Sequence, residues 1–179
     1  MAASGLIRWG AIGFVLGGVA WLVLGLSARF GYLQAIPGRE DVVIYIVALL
    51  FTAAGLVGLH ALQRAGYGLF GVASFYFTLA AIAGRILGAV VFLAGSTALE
   101  STSWPATLSM LVGLVLYGVA TLRARVLPLW YGLVLILAMP VSLLLATYGT
   151  ALFGLFLMVL GYGLWLHRKA ATGQPSRVR

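Results

Sequence analysis

Between residues 126 and 166 the chain carries no charged side chain, 41 positions in a row. As a single helix that run would reach about 60 Å at ~1.5 Å per residue, roughly twice the hydrocarbon thickness of a bilayer. It must therefore fold back on itself. A break at Pro140 leaves a first half of about 13 residues, too short to cross. A turn at Thr147–Tyr148–Gly149–Thr150 leaves two segments near the required length, the first of them kinked by Pro140.

The rest of the chain has the same character. It is 63% hydrophobic and 8% charged, with a mean hydropathy of +1.13. A soluble fold of 179 residues keeps too much of its surface in water to hide that much apolar side chain. Lipid is the expected solvent. Apolar stretches at about residues 9–27, 42–62, 67–94, 105–122, 127–146 and 149–166 read as six spanning helices. Glu40 and Asp41 stand at the start of the second, where a carboxylate favours the positive end of the helix dipole. Pro105 suits the first turn of the fourth. The third is longer than a bilayer requires, so tilt or a break near Gly84 or Gly88 is expected. The first run is long, carries tryptophan and lacks a small-x-small cleavage site, which reads as a retained helix.

Charge sets the orientation. With six spans one side receives Arg8, Arg64, Arg123, Arg125, Arg168, Lys169, Arg177 and Arg179. The other receives Arg29 and Arg39 with all three acids, Glu40, Asp41 and Glu100. The excess of Lys and Arg marks the cytoplasmic side, so both termini are expected there. The expected fold is an all-α polytopic membrane bundle of three helical hairpins over residues 1–169, followed by a basic tail at 170–179. The net charge of +8 lies between apolar runs rather than on one soluble face, so it carries no nucleic-acid signal. With no cysteine, disulfides and thiolate chemistry are excluded.

One ionisable residue stands deep in an apolar run. At helical spacing Gly71, Ser74, Thr78, Ala81, Arg85 and Gly88 form one stripe of small and polar side chains. Such a stripe faces other helices or a wet cavity, because lipid gives a guanidinium no partner. Arg85 with Ser74 and Thr78 is therefore a candidate site for a small anion or a lipid headgroup. The rival readings have Arg85 paired with helix-end carbonyls or Glu100, or snorkelling to the outer interface. Gly13 and Gly17, and Gly84 and Gly88, are candidate helix-packing pairs, within the chain or in a homo-oligomer or membrane-protein partnership.

His60 and His167 fall near helix ends on the basic side. They read as capping or interfacial residues, with a haem or metal pair as the weaker alternative. No acid or histidine is placed within the bundle to serve the chain's serines and threonines, and Gly-x-Ser-x-Gly is absent. No catalytic residue, metal or cofactor is assigned. The expected role is a non-enzymatic structural or partner-binding bundle in contact with membrane lipid, the anion or headgroup binder being the alternative.

Several stretches carry a resemblance. They are Arg8–Trp9–Gly10 with Gly17–Gly18–Val19–Ala20–Trp21, and Gly58–Leu59–His60–Ala61–Leu62–Gln63–Arg64. Ala120–Thr121–Leu122–Arg123–Ala124–Arg125–Val126–Leu127–Pro128 and Gly161–Tyr162–Gly163–Leu164–Trp165 complete it. Together they resemble multi-pass membrane proteins of high-GC bacteria of the DUF4386 type. The resemblance implies a compact bundle of about six helices in a bacterial inner membrane. It implies no activity and carries over no functional residue.

Overall fold

A helix that is apolar on every side can satisfy its backbone internally and still meet lipid with its side chains. The computed structural model is built from six such helices. It describes residues 2–29, 39–95, 99–145 and 148–172. The helices are α1 (Ala2–Arg29), α2 (Arg39–Gln63), α3 (Gly68–Leu93), α4 (Leu99–Ala124), α5 (Leu129–Leu144) and α6 (Gly149–Thr172). No strand occurs among the described residues. All but α5 are long and apolar enough to cross a membrane. Their outward faces are apolar too: Leu69, Leu87, Leu129 and Leu144 are 84, 65, 66 and 83% exposed. Exposed leucines on one helix after another make an apolar surface of the kind lipid covers.

The uncharged run turns where expected, with the Tyr148 N–H donating to the Leu145 carbonyl at 3.0 Å. Four details differ from the sequence expectations. Helix α3 is continuous through Gly84 and Gly88, so the break, one of the two alternatives expected there, does not occur; a single glycine costs a helix interior only about 1 kcal/mol. Helix α4 begins at Leu99, so Pro105 lies inside it rather than in its first turn. Helix α5 has 16 residues, with Pro140 inside, and so measures about 24 Å, short of a ~30 Å layer. Helix α6 continues through Arg168 and Lys169 to Thr172, while residues 173–179 of the expected tail lie outside the described residues.

The helices run up and down in chain order, and α6 closes the ring on α1. The close approaches fix the register. A Cβ on Gly10 would stand 2.4 Å from the Gly58 Cα, and one on Gly18 would stand 2.5 Å from the Gly154 carbonyl oxygen. Only glycine allows backbones so near each other. Helix α1 is thereby seated against both α2 and α6. Gly13 and Gly17 serve the same α1–α2 seam, Gly13 against Gly55 and Phe51, Gly17 against Thr52 and Phe51. A second set of neighbours runs α3–α4–α5, where Gly113 meets Thr78 and Gly118 meets Gly132 and Ile136. The two sets touch less extensively, along α2–α3 and α5–α6. The core between them holds Phe14, Leu49, Leu56, Met110, Leu135 and Leu157, all within 1% of full burial.

Candidate binding site

Arg85 lies eight residues from the end of α3, so its Cα is about 12 Å along the axis from that end. The side chain is half-buried and held from two directions. Its Nε donates to the hydroxyl of Tyr45 on α2, and its Nη1 donates to the Thr107 hydroxyl on α4 at 2.7 Å. The guanidinium carbon also stands 5.2 Å from the centroid of the Tyr45 ring, a cation–π distance. Among the described residues no carboxylate pairs with it. The side chain of Glu100, one expected partner, lies outside the described residues.

The guanidinium borders a cavity of about 370 Å³. Trp21 of α1, Met110 of α4, Met139 of α5 and Phe153 of α6 form its apolar walls. Trp21 is fixed by an Nε1–H bond of 3.1 Å to the Thr52 hydroxyl and by edge-on contacts to Tyr45 and Phe153, both with centroids 5.4 Å apart. Ser142, Gly149 and Thr150 border the cavity where α5 hands over to α6. A Cβ at Gly149 would fall 1.7 Å from the Ser142 carbonyl oxygen, so the two helix ends meet backbone to backbone. The first turn of α6, with N–H groups that no preceding helical turn accepts, thus stands at the same cavity as Arg85. Arg85 supplies the full positive charge there, while the partial charges of the α6 start and of the adjoining α5 end oppose each other.

Ser74 and Thr78 take another place. Each hydroxyl donates to a carbonyl one turn back in α3, Ser74 to Phe70 and Thr78 to Ser74, both at 2.8 Å. Both are buried, and Thr78 meets α4 at Gly113. Neither borders the Arg85 cavity. The stripe on α3 is buried as far as Ala81, and then the helix turns Arg85 toward the space between the two sets of helices. Gly84 faces outward with no heavy atom near its absent Cβ, and Gly88 is half-buried. Tyr45, Thr107 and Trp21 were not picked out from the sequence, since nothing in their own segments says that they converge on Arg85.

The other end of the bundle holds a second polar group. His60 Nδ1 bonds the Tyr67 hydroxyl, and the imidazole stacks on Phe75 with centroids 3.9 Å apart. Thr121 donates to the Gln63 Oε1 at 3.1 Å, tying α2 to α4. His167 stacks on Tyr131 of α5 at 5.7 Å. The two histidines therefore pack in different seams, His60 against Tyr67 and Phe75 at the α2–α3 seam and His167 against Tyr131 at the α5–α6 seam. Among the described residues Gln63 Nε2 and Tyr131 OH are buried without a hydrogen-bond partner, and the Tyr117 ring packs edge-on to Tyr67 with centroids 6.1 Å apart. Among the described residues no cluster of three or more His, Asp or Glu is placed to hold a metal ion.

No protein-family model matches this chain, and no curated protein or solved structure matches it either. The fold and the site define it as an all-α helical bundle with the apolar surface of an integral membrane protein, and the reading of its role rests on the site.

Proposed function

We propose that the protein is a multi-pass protein of a bacterial inner membrane, non-enzymatic, that binds an anionic group at Arg85. The carrying observation is a guanidinium bordering an apolar-walled cavity with no carboxylate beside it among the described residues. Keeping a charge some 12 Å inside a helix end is expensive, which makes such a residue a functional-site candidate. Tyr45 and Thr107 orient the group without neutralising it. An incoming anion brings a counter-charge that no described lining residue supplies and gains charge-assisted hydrogen bonds that water would otherwise weaken.

The α5–α6 turn supports six crossings, because α5 lies antiparallel between α4 and α6. Arg8, Arg64, Arg123 and Arg125 then share one end of the bundle with Arg168 and Lys169, which supports cytoplasmic termini. The Arg85 cavity falls toward the opposite end, reached from the outer leaflet or the space beyond it. Reporter fusions at Arg64 and Glu100 test this placement, a cytoplasmic Glu100 being the outcome that reverses it.

Arg85→Gln tests the site. The variant is expected to elute and melt like the parent protein, yet to lose the anionic lipid or anion that the parent retains through purification, read by native mass spectrometry. Equal retention by both proteins sinks the reading. A bundle whose role is structural would show no difference in bound anion between them.

A further inference from the structure

Resting on that reading of Arg85, we propose that the anion is the head of a single-chain amphiphile carrying one negative charge, a fatty-acid carboxylate, with its tail against Trp21, Met110, Met139 and Phe153. Three observations converge on this class. The first is charge. Arg85 is the one charged side chain among the described residues that border the cavity, and the partial charges of the α6 start and of the α5 end, which meet there at Gly149 and Ser142, oppose each other. A singly charged head is matched by that field. A phosphate monoester dianion would keep uncompensated charge in a poorly solvated place, and a zwitterion would set its ammonium beside a guanidinium with no acid among the described lining residues to receive it.

The second is the donor count. A guanidinium has five N–H groups. Among the described residues one, from Nε, goes to Tyr45 and one, from Nη1, goes to Thr107, and neither bond uses the Nη2 edge. A carboxylate takes two such donors in its own plane. The third is shape. At 370 Å³ the cavity lies at the small end of the ~300–1,000 Å³ range of ligand sites, and it is bounded by helices from both sets. It suits one tail rather than the two of a phospholipid. Met110 and Met139 give its walls side chains that adapt to a flexible chain, and the edge-on packing of Trp21 with Phe153 holds the opposite wall.

The full chain in detergent, titrated with a fluorescent polyene fatty acid, tests the proposal by competition. Palmitate should displace the probe, whereas hexadecanol and hexadecyltrimethylammonium should each need at least about tenfold more. Arg85→Gln should weaken probe binding by about tenfold or more. Should that variant fail to fold, Met139→Trp carries the test, since it fills the tail space and leaves the guanidinium in place. It should weaken palmitate by about tenfold, and unchanged affinity overturns the proposal. Hexadecyl phosphate outcompeting palmitate, or phosphatidylglycerol equalling it, overturns the single-chain carboxylate while Arg85 stands as an anion site. No probe binding, or binding indifferent to Arg85→Gln in a folded protein, overturns both.

Discussion

The seams that helix α1 makes with α2 and α6 and the seam between α2 and α3 are built by opposite means. Along α1 the contacts to α2 and α6 are backbone on backbone, at Gly10 with Gly58 and Gly18 with Gly154. Between α2 and α3 the contacts are side chains reaching across: His60 to Tyr67 and Phe75 at one end, Arg85 to Tyr45 at the other. The difference teaches where the bundle is built to hold and where it has room. A glycine seam leaves no volume for a ligand and tolerates no added atom. A seam made of a few polar and aromatic pairs leaves gaps between them, and the cavity at Arg85 lies beside one of these. In a membrane, where apolar surface gives helices no reason to prefer each other over lipid, close packing supplies most of the attraction. The α2–α1–α6 set therefore forms the frame, and the site is placed at its border with α3–α4–α5.

The sharpest way to break that comparison is to add volume to the frame. Gly58→Leu puts a branched side chain where a single Cβ already meets the Gly10 Cα. It is expected to cost about 3 kcal/mol or to prevent folding, read as the unfolding midpoint in a denaturing-detergent titration. Tolerance of that change with a loss well under about 1 kcal/mol would mean that the seam is not the frame. A smaller effect is expected at the cavity wall. Trp21→Phe keeps a ring there but removes the Nε1–H bond to Thr52, whose own hydroxyl stays bonded to the Ala48 carbonyl at 2.7 Å. The expected loss is about 1 kcal/mol in the same titration. The smallest effect, with the opposite sign, belongs to Gly84. With nothing near its absent Cβ, Gly84→Ala should raise stability by about 0.5–1 kcal/mol, the usual gain for replacing glycine inside a helix. Destabilisation, or a change in oligomeric state on a sizing column, would instead show Gly84 packed against a second molecule.

Much of this was legible along the chain. The position of the α5–α6 turn followed from the length of the uncharged run, and the existence of six apolar helices followed from hydropathy. The small-residue stripe on α3 was correctly read as inward-facing from Gly71 to Ala81. Its assignment as one site was too simple, because burial and cavity are different environments. Ser74 and Thr78 have partners within their own helix, so their polarity is used up before any ligand arrives. Pro105 was placed at a helix start by a sound local rule, but α4 extends back past it to Leu99. The glycine pairs were sensed at Gly13 and Gly17. That they would be consumed inside the chain depended on which helix came to lie beside α1.

Transfer free energy and charge are properties of each residue and its near neighbours in order. That is why the amino-acid string alone determined the lipid-facing character, the helix count and the basic side of this protein. The partners of Arg85 are of another kind: Tyr45 lies 40 positions away and Thr107 lies 22. Which of them a guanidinium meets depends on how each helix is rotated and how closely glycine lets its neighbours approach. Those quantities exist only once the helices have packed, so the tertiary structure alone decided that an arginine in an apolar run would border a cavity.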